Sequence, residues 1–182
     1  MADVLAGTVV AVSSDPAHRF SKWVRPYVRL IENFGIEGDA HAGPFVKHRY
    51  DARRTPSQPN LRQVHMIQCE LFSELKALGF VVRPGELGEN VTTRGLDLLR
   101  LPLTCRLHLG ASAVVELTGL RTPCGYIDRF HTGLKRAMIV KNQEKKFRAG
   151  VLGVVRHGGN VAPGDRLEVE LPQQPWTRLP AL

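Results

Sequence analysis

Apolar residues along this chain fall in short runs, and most alternate with polar ones or break after four to eight positions. VLAGTVVAV (4–12) is dense in β-branched residues and predicts a first strand. VRLIENFG (28–35) is a brief apolar run that ends in glycine-punctuated chain, and RQVHMIQ (62–68) alternates as a strand does. CELFSELKALG (69–79) differs, placing Leu71, Phe72, Leu75 and Leu78 at helical spacing before Gly79, a C-terminal stop signal. The segment 83–102 carries so many glycines and prolines that it reads as mostly turns. CRLHLG (105–110) and AVVELTGL (113–120) predict a hairpin, 133–140 a short helix or a strand with the helix favoured, and 149–171 a strand, a glycine-rich turn and a strand.

Six to eight short strands, one or two helices, no internal repeat and no βαβ alternation predict a mostly β fold. The expected form is a β-barrel with one or two helices packed outside it. One domain is expected over residues 1–171, followed by a proline-rich tail, 172–182, lying as an extended strap. A length of 182 residues suits this, since such a domain buries about 70% of its unfolded surface without a disulfide or metal staple. The N-terminus reads as a strand rather than a signal peptide, because Asp3 interrupts its apolar stretch and no basic region precedes it. No apolar stretch approaches the roughly 18 residues that would cross a membrane as a helix, so no membrane partner and a cytoplasmic location are expected.

Charge changes this picture modestly. The formal net charge of +8 favours an anionic partner, such as a phosphorylated cofactor or a nucleotide. Basic residues concentrate in KHRYDARR (47–54) and KNQEKKFR (141–148). Both runs include an acid, neither has helical charge spacing, and two solvated loops explain them better than a nucleic-acid footprint. Nucleic acid is therefore not the expected partner.

The three cysteines, 69, 105 and 124, form no CxxC pair and are expected to be free thiols. Cys69 and Cys105 fall where core thiols would. Cys124 ends RTPC, where an apolar run breaks: Pro123 stiffens the turn, and Arg121, Arg129 and Lys135 are at hand to favour a thiolate. A thiolate there is a nucleophile or a soft metal ligand; the alternative is a small buried hydrophobe. In GIEGDAHAG (35–43), Asp39 and His41 form either an acid–base pair or a turn with a solvent-facing histidine. PGELGENVTT (84–93) packs Glu89, Asn90 and Thr92 into a glycine-hinged loop that either binds a heterocycle or phosphate, or caps the next element. His65 is read as a half-buried, satisfied histidine. GxxxxGK[ST], strand-borne GxGxxG and HExxH are all missing, which argues against nucleotide hydrolysis and NAD chemistry.

Taken in order, GIEGDAHAG, RQVHMIQ, GELGENVTT, GLDLLRLPLTCRLHLG, VVELTGLRTPC and GVLGVVRHGGNVAPGDRLEVE resemble the MOSC domain family, named for the C-terminal domain of molybdenum-cofactor sulfurases. The resemblance runs from about residue 4 to 171, and its GEN(L/V)T and RxPC elements are the specific ones. It implies a β-barrel that handles sulfur or binds the molybdenum cofactor (molybdopterin), with Cys124 as molybdenum ligand or sulfur carrier and Arg121 beside it. Asp39, His41, Glu89, Asn90 and Thr92 fall at the family's other motif positions, and His65 joins the cofactor-binding set. The chain resembles the small bacterial members that reduce N-hydroxylated bases, which implies a small-molecule substrate and an electron-transfer partner. The alternative is a sulfur-transfer protein whose Cys124 takes a persulfide from a partner cysteine desulfurase. Any pyridoxal phosphate would belong to that partner. A non-catalytic module that binds nucleic acid or another anion is the third reading.

Overall fold

The structure, a computed structural model, describes residues 5–46, 57–140 and 147–182. Residues 47–54, and 141–146 of the second basic run, lie outside the described residues.

Seven strands close into a barrel. In chain order they are β1 (Ala6–Ser14), β5 (Val64–Gln68), β6 (Val91–Arg94), β7 (Arg106–Leu109), β8 (Ala113–Leu120), β9 (Val151–His157) and β11 (Arg166–Glu170). Around the barrel they run β1, β6, β5, β9, β8, β7, β11 and back to β1, antiparallel except for the parallel pair β5–β6. Closure leaves no open edge among these seven. β2 (Trp23–Arg25) extends the sheet beyond β1, while β3 (Val28–Ile31), β4 (Gly35–Ile36) and β10 (Gly159–Val161) form a small second sheet. No helix among the described residues is long and apolar enough to cross a membrane.

Alternation along β8 shows why these sequences choose strands: Ala113, Val115 and Leu117 are buried while Val114, Glu116 and Thr118 between them are not. The inward residues join Val64, Met66, Leu107 and Leu167 in the barrel core. β5 is buried on both faces. Val64 and Met66 fill the barrel, but Ile67 packs outside it, in a second core with Leu71, Leu75, Leu87, Ile127 and Leu134. That second core seats α1 (Glu70–Ala77), α2 (Gly125–Phe130) and α3 (Leu134–Ala137). Full burial of Leu71 and Leu75 contributes about 1.5–3 kcal/mol each.

The expected barrel, the helix near 70, the β7–β8 hairpin and the short helix after 133 all form. The segment 83–102 is not all turns, since β6 and a 3₁₀ turn (Leu98–Arg100) lie within it. Thr92 and Thr93 look like loop residues in sequence, yet both are buried in β6. The glycine-rich turn at 158–161 likewise contains β10, which pairs Gly159–Val161 with Leu30–Val28 of β3. In the tail, Leu179 is buried, and Pro180 and Leu182 accept hydrogen bonds from Leu120 and Thr122, just before Cys124.

Candidate functional site

The site lies outside the barrel, where β5, the 84–90 loop and the chain after β8 meet. His65 points away from the barrel core because its neighbours Val64 and Met66 point into it. Its Nε2 lies 2.7 Å from the Ala149 carbonyl. Burial drives its pKa well below the usual histidine value, with Arg121 and Lys22 pushing the same way, so the ring is neutral. Asn90 locks this strand to the loop: its Oδ1 accepts the His65 N–H at 3.1 Å, and its Nδ2 donates to Ser13 O at 3.1 Å and to Asp39 Oδ2 at 3.0 Å.

Asp39 is the centre of a buried polar knot. Lys22 Nζ sits 2.8 Å from Asp39 Oδ2, both side chains being almost wholly buried. The N–H groups of Asp15 and His41 donate to the same carboxylate at 3.3 and 2.9 Å, and His41 Nδ1 lies 3.4 Å from Oδ1. Burial alone would raise the Asp39 pKa; the His41 hydrogen bonds and the Lys22 charge outweigh it and hold the carboxyl well below the ordinary range. Burial pulls Lys22 below the ordinary lysine value, against the pull of Asp39.

Glu89 is fully buried and is pushed above its ordinary value by desolvation. Its Oε1 accepts the Gly85 N–H at 2.6 Å and the Thr92 hydroxyl at 3.1 Å, while Oε2 is buried with no hydrogen-bond partner. The chain at 21–22 is laced to the same loop, Lys22 N–H to Gly85 O and Ser21 Oγ to Glu86 O.

Arg121 and Cys124 complete the wall. Arg121 Nη1 donates to Leu87 O at 2.6 Å, and its guanidinium lies 5.8 Å from the centre of the Phe20 ring. Burial depresses its pKa, and Cys124 and Glu89 oppose that; arginine stays charged regardless. Cys124, in extended conformation, directly precedes α2 and is half-buried against the second core. Buried Cys105 is different: burial pushes its thiol up to about 12, which leaves it inert. Cys69 is half-buried at the start of α1 rather than a core thiol.

In front of them opens a cavity of about 180 Å³. Five residues expected from sequence, Cys124, Arg121, His41, Asn90 and His65, line it. Asp39, Glu89 and Thr92 lie behind it, holding Lys22, His41 and the 84–92 loop in place. Sequence reading missed His18, Arg19, Phe20, Lys22, Arg62 and Tyr126, which also line the cavity. The available signal was compositional, since DPAHRFSK (15–22) puts three basic or imidazole side chains around one aromatic.

A barrel with a single thiol on the wall of a cationic external cavity is the class that fold and site define. The chain belongs to the MOSC domain family, whose model matches residues 33–168. Among solved structures it is similar to the YuaD protein from Bacillus subtilis, with 22% identity, a TM-score of 0.76, and coverage of 95% of this chain and 100% of that one. It is also similar to YiiM from Escherichia coli, with 19% identity, a TM-score of 0.62, and coverage of 93% and 73%. YiiM from Geobacillus stearothermophilus is similar at 18% identity and a TM-score of 0.58, with coverage of 91% and 74%. At these identities the likeness is one of fold. No curated protein sequence matches the chain.

Proposed function

We propose that the chain binds the molybdenum cofactor through Cys124 and reduces N-hydroxylated small molecules. The observation that carries this reading is the position of Cys124: of three cysteines, it is the one on the wall of a cavity otherwise rich in cations. Among the described residues no group of three or more His, Cys, Asp and Glu side chains is placed to hold a bare metal ion. One soft thiolate suits a metal that arrives with its other ligands on an anionic organic carrier. Arg62 and Arg121 supply the charge to balance that carrier.

When bound, the cofactor supplies the two-electron chemistry that removes the N-hydroxyl oxygen as water. Cys124 would hold the metal. His41, on the cavity wall with its Nδ1 3.4 Å from Asp39 Oδ1, would deliver one proton to the departing oxygen, and the nitrogen would take the second from solvent. Asp39 acts through His41 and is a positioning residue. Asn90 and neutral His65 shape the floor, and the electrons come from a partner protein. The test is an anaerobic assay with a reduced dye and an N-hydroxylated base, on protein produced with molybdate and a working cofactor pathway. Wild type should turn over and Cys124→Ser should not; equal activity of the two contradicts the reading.

A second reading rests on the same half-buried thiol, reachable from an open cavity. In it the Cys124 thiolate attacks the outer sulfur of a persulfide on a partner cysteine desulfurase, taking that sulfur as a Cys124 persulfide and releasing the partner's thiolate. A mass gain of one sulfur confined to Cys124 supports this alternative, and equal labelling of Cys69 or Cys105 contradicts it.

A further inference from the structure

Beyond the cavity mouth lies a larger groove of about 960 Å³, sharing Arg19, Phe20, Lys22 and Tyr126 with the cavity. Its wall continues through Trp23, Phe130, Arg83 and Arg129. Trp23 is 61% exposed and Tyr126 47%, a large amount of bare aromatic surface beside a site. The Phe20 and Tyr126 rings are nearly parallel, at 19° with centroids 6.5 Å apart, so a flat ligand stacked on one is aligned with the other. The Arg129 guanidinium lies 5.0 Å from the Tyr126 centroid.

The cations of the groove are unequally engaged. Lys22 is committed to Asp39, and Arg19 lies 3.7 Å from Asp15. Among the described residues, Arg83 and Arg129 form no ion pair, and both are exposed. Two carboxylates also face the groove: Asp15 Oδ1 accepts the Ala17 N–H at 2.7 Å and its Oδ2 lies 3.7 Å from Arg19 with no hydrogen bond of its own, while Glu86 accepts the Arg83 N–H at 2.8 Å. Two available guanidinium groups beside bare aromatic rings match a ligand that is flat at one end and anionic at the other. Half of this wall, the part within residues 15–24, precedes the family-matched span.

We propose that this groove recognises the substrate, and that it selects a planar nitrogen heterocycle bearing a phosphate, a nucleotide in preference to the bare base or nucleoside. The heterocycle stacks on Phe20 and Tyr126 near the cavity mouth, and Arg83 and Arg129 take the phosphate. This rests on the reading of the Cys124 cavity as the reaction site.

Ligand binding without turnover tests it. Quenching of Trp23 fluorescence is titrated with adenosine 5′-monophosphate, with adenosine and with inorganic phosphate. Protein carrying the cofactor and protein made without it are both used, and Trp23→Phe separates the signal from that of Trp176. The expected result is quenching by the monophosphate in both forms, at least about 10-fold tighter than by adenosine, as charge-assisted phosphate contacts supply. Arg83→Gln with Arg129→Gln should reduce the monophosphate to the level of adenosine, and Tyr126→Ala should weaken both about 5-fold or more. Equal affinity for adenosine and its monophosphate overturns the proposal, as does equal affinity for inorganic phosphate. Binding that vanishes when the cofactor is loaded also overturns it, and assigns the groove to the cofactor's own pterin phosphate. Nucleotide binding by a protein that reduces nothing would keep the groove and fail the reductase reading alone.

Discussion

Lys22 Nζ lies 2.8 Å from Asp39 Oδ2, with neither side chain reaching solvent to any useful extent. This ion pair ties the segment entering β2 to the turn after β4, and His41 and Asn90 hang from the same carboxylate. Removing one partner strands the other charge in a dry environment. Asp39→Ala should therefore destabilise the fold by about 3–5 kcal/mol in urea unfolding. Lys22→Met combined with Asp39→Asn should recover a large part of that loss. A single Asp39→Ala cost below about 1 kcal/mol would show that the pair is not buried as described.

His65 makes stability depend on pH. In the unfolded chain it takes a proton below about 6.5, and in the fold it does not, so the unfolded state binds more protons and stability falls as pH falls. The slope below pH 6.5 approaches about 1.4 kcal/mol per unit. Glu89, raised by burial, works in the opposite sense: its contribution falls as pH rises above about 4.5. Comparison with His65→Gln isolates the histidine. The stability gap between wild type and variant should shift by about 1 kcal/mol in favour of the variant between pH 7 and 5.5. A gap independent of pH contradicts a neutral, buried His65.

Arg121 bridges the RTPC turn to the 84–90 loop through its bond to Leu87 O. Lysine keeps the charge but not the planar donor fork. Arg121→Lys should cost about 1 kcal/mol in stability and speed amide exchange at Leu87, Gly88 and Glu89, with little change in the barrel strands. Unchanged exchange in that loop would show that the bond holds nothing in place.

Gly150 marks where the chain closes over β5. Its φ is +94°, and a Cβ there would collide with the Met66 carbonyl. Its own carbonyl takes the Arg121 N–H at 2.9 Å, and the preceding carbonyl, of Ala149, faces His65. Gly150→Ala should cost roughly 3 kcal/mol and shift the ring signals of His65 in NMR spectra. A cost below about 0.5 kcal/mol, the size of a neutral surface change, would contradict the close approach.

Much of the barrel was readable because its strands alternate as β8 does, and α1 because Leu71 and Leu75 repeat at helical spacing. β6 was hidden because two of its four residues are threonines: Val91 fills the barrel, but outward-facing Thr92 is held by the buried Glu89 rather than by apolar packing. α2, at six residues, is shorter than the window in which a helical period can register. In the site, Cys124 and Arg121 stood out through their stiff proline turn, and His41 and Asn90 through glycine-hinged loops. Lys22 did not, because its meaning comes from Asp39 across the fold and no local spacing encodes it. Phe20 and Tyr126 were equally silent, since only the fold brings the two rings together.

The most direct measurement is the molybdenum and pterin content of the purified protein, grown with molybdate and a working cofactor pathway, beside Cys124→Ser prepared identically. Molybdenum near one per chain in wild type, with oxidised pterin released in step and both lost in the variant while the fold persists, is the predicted result. Metal and pterin retained equally by Cys124→Ser, or missing from wild type under those conditions, would contradict Cys124 as the ligand.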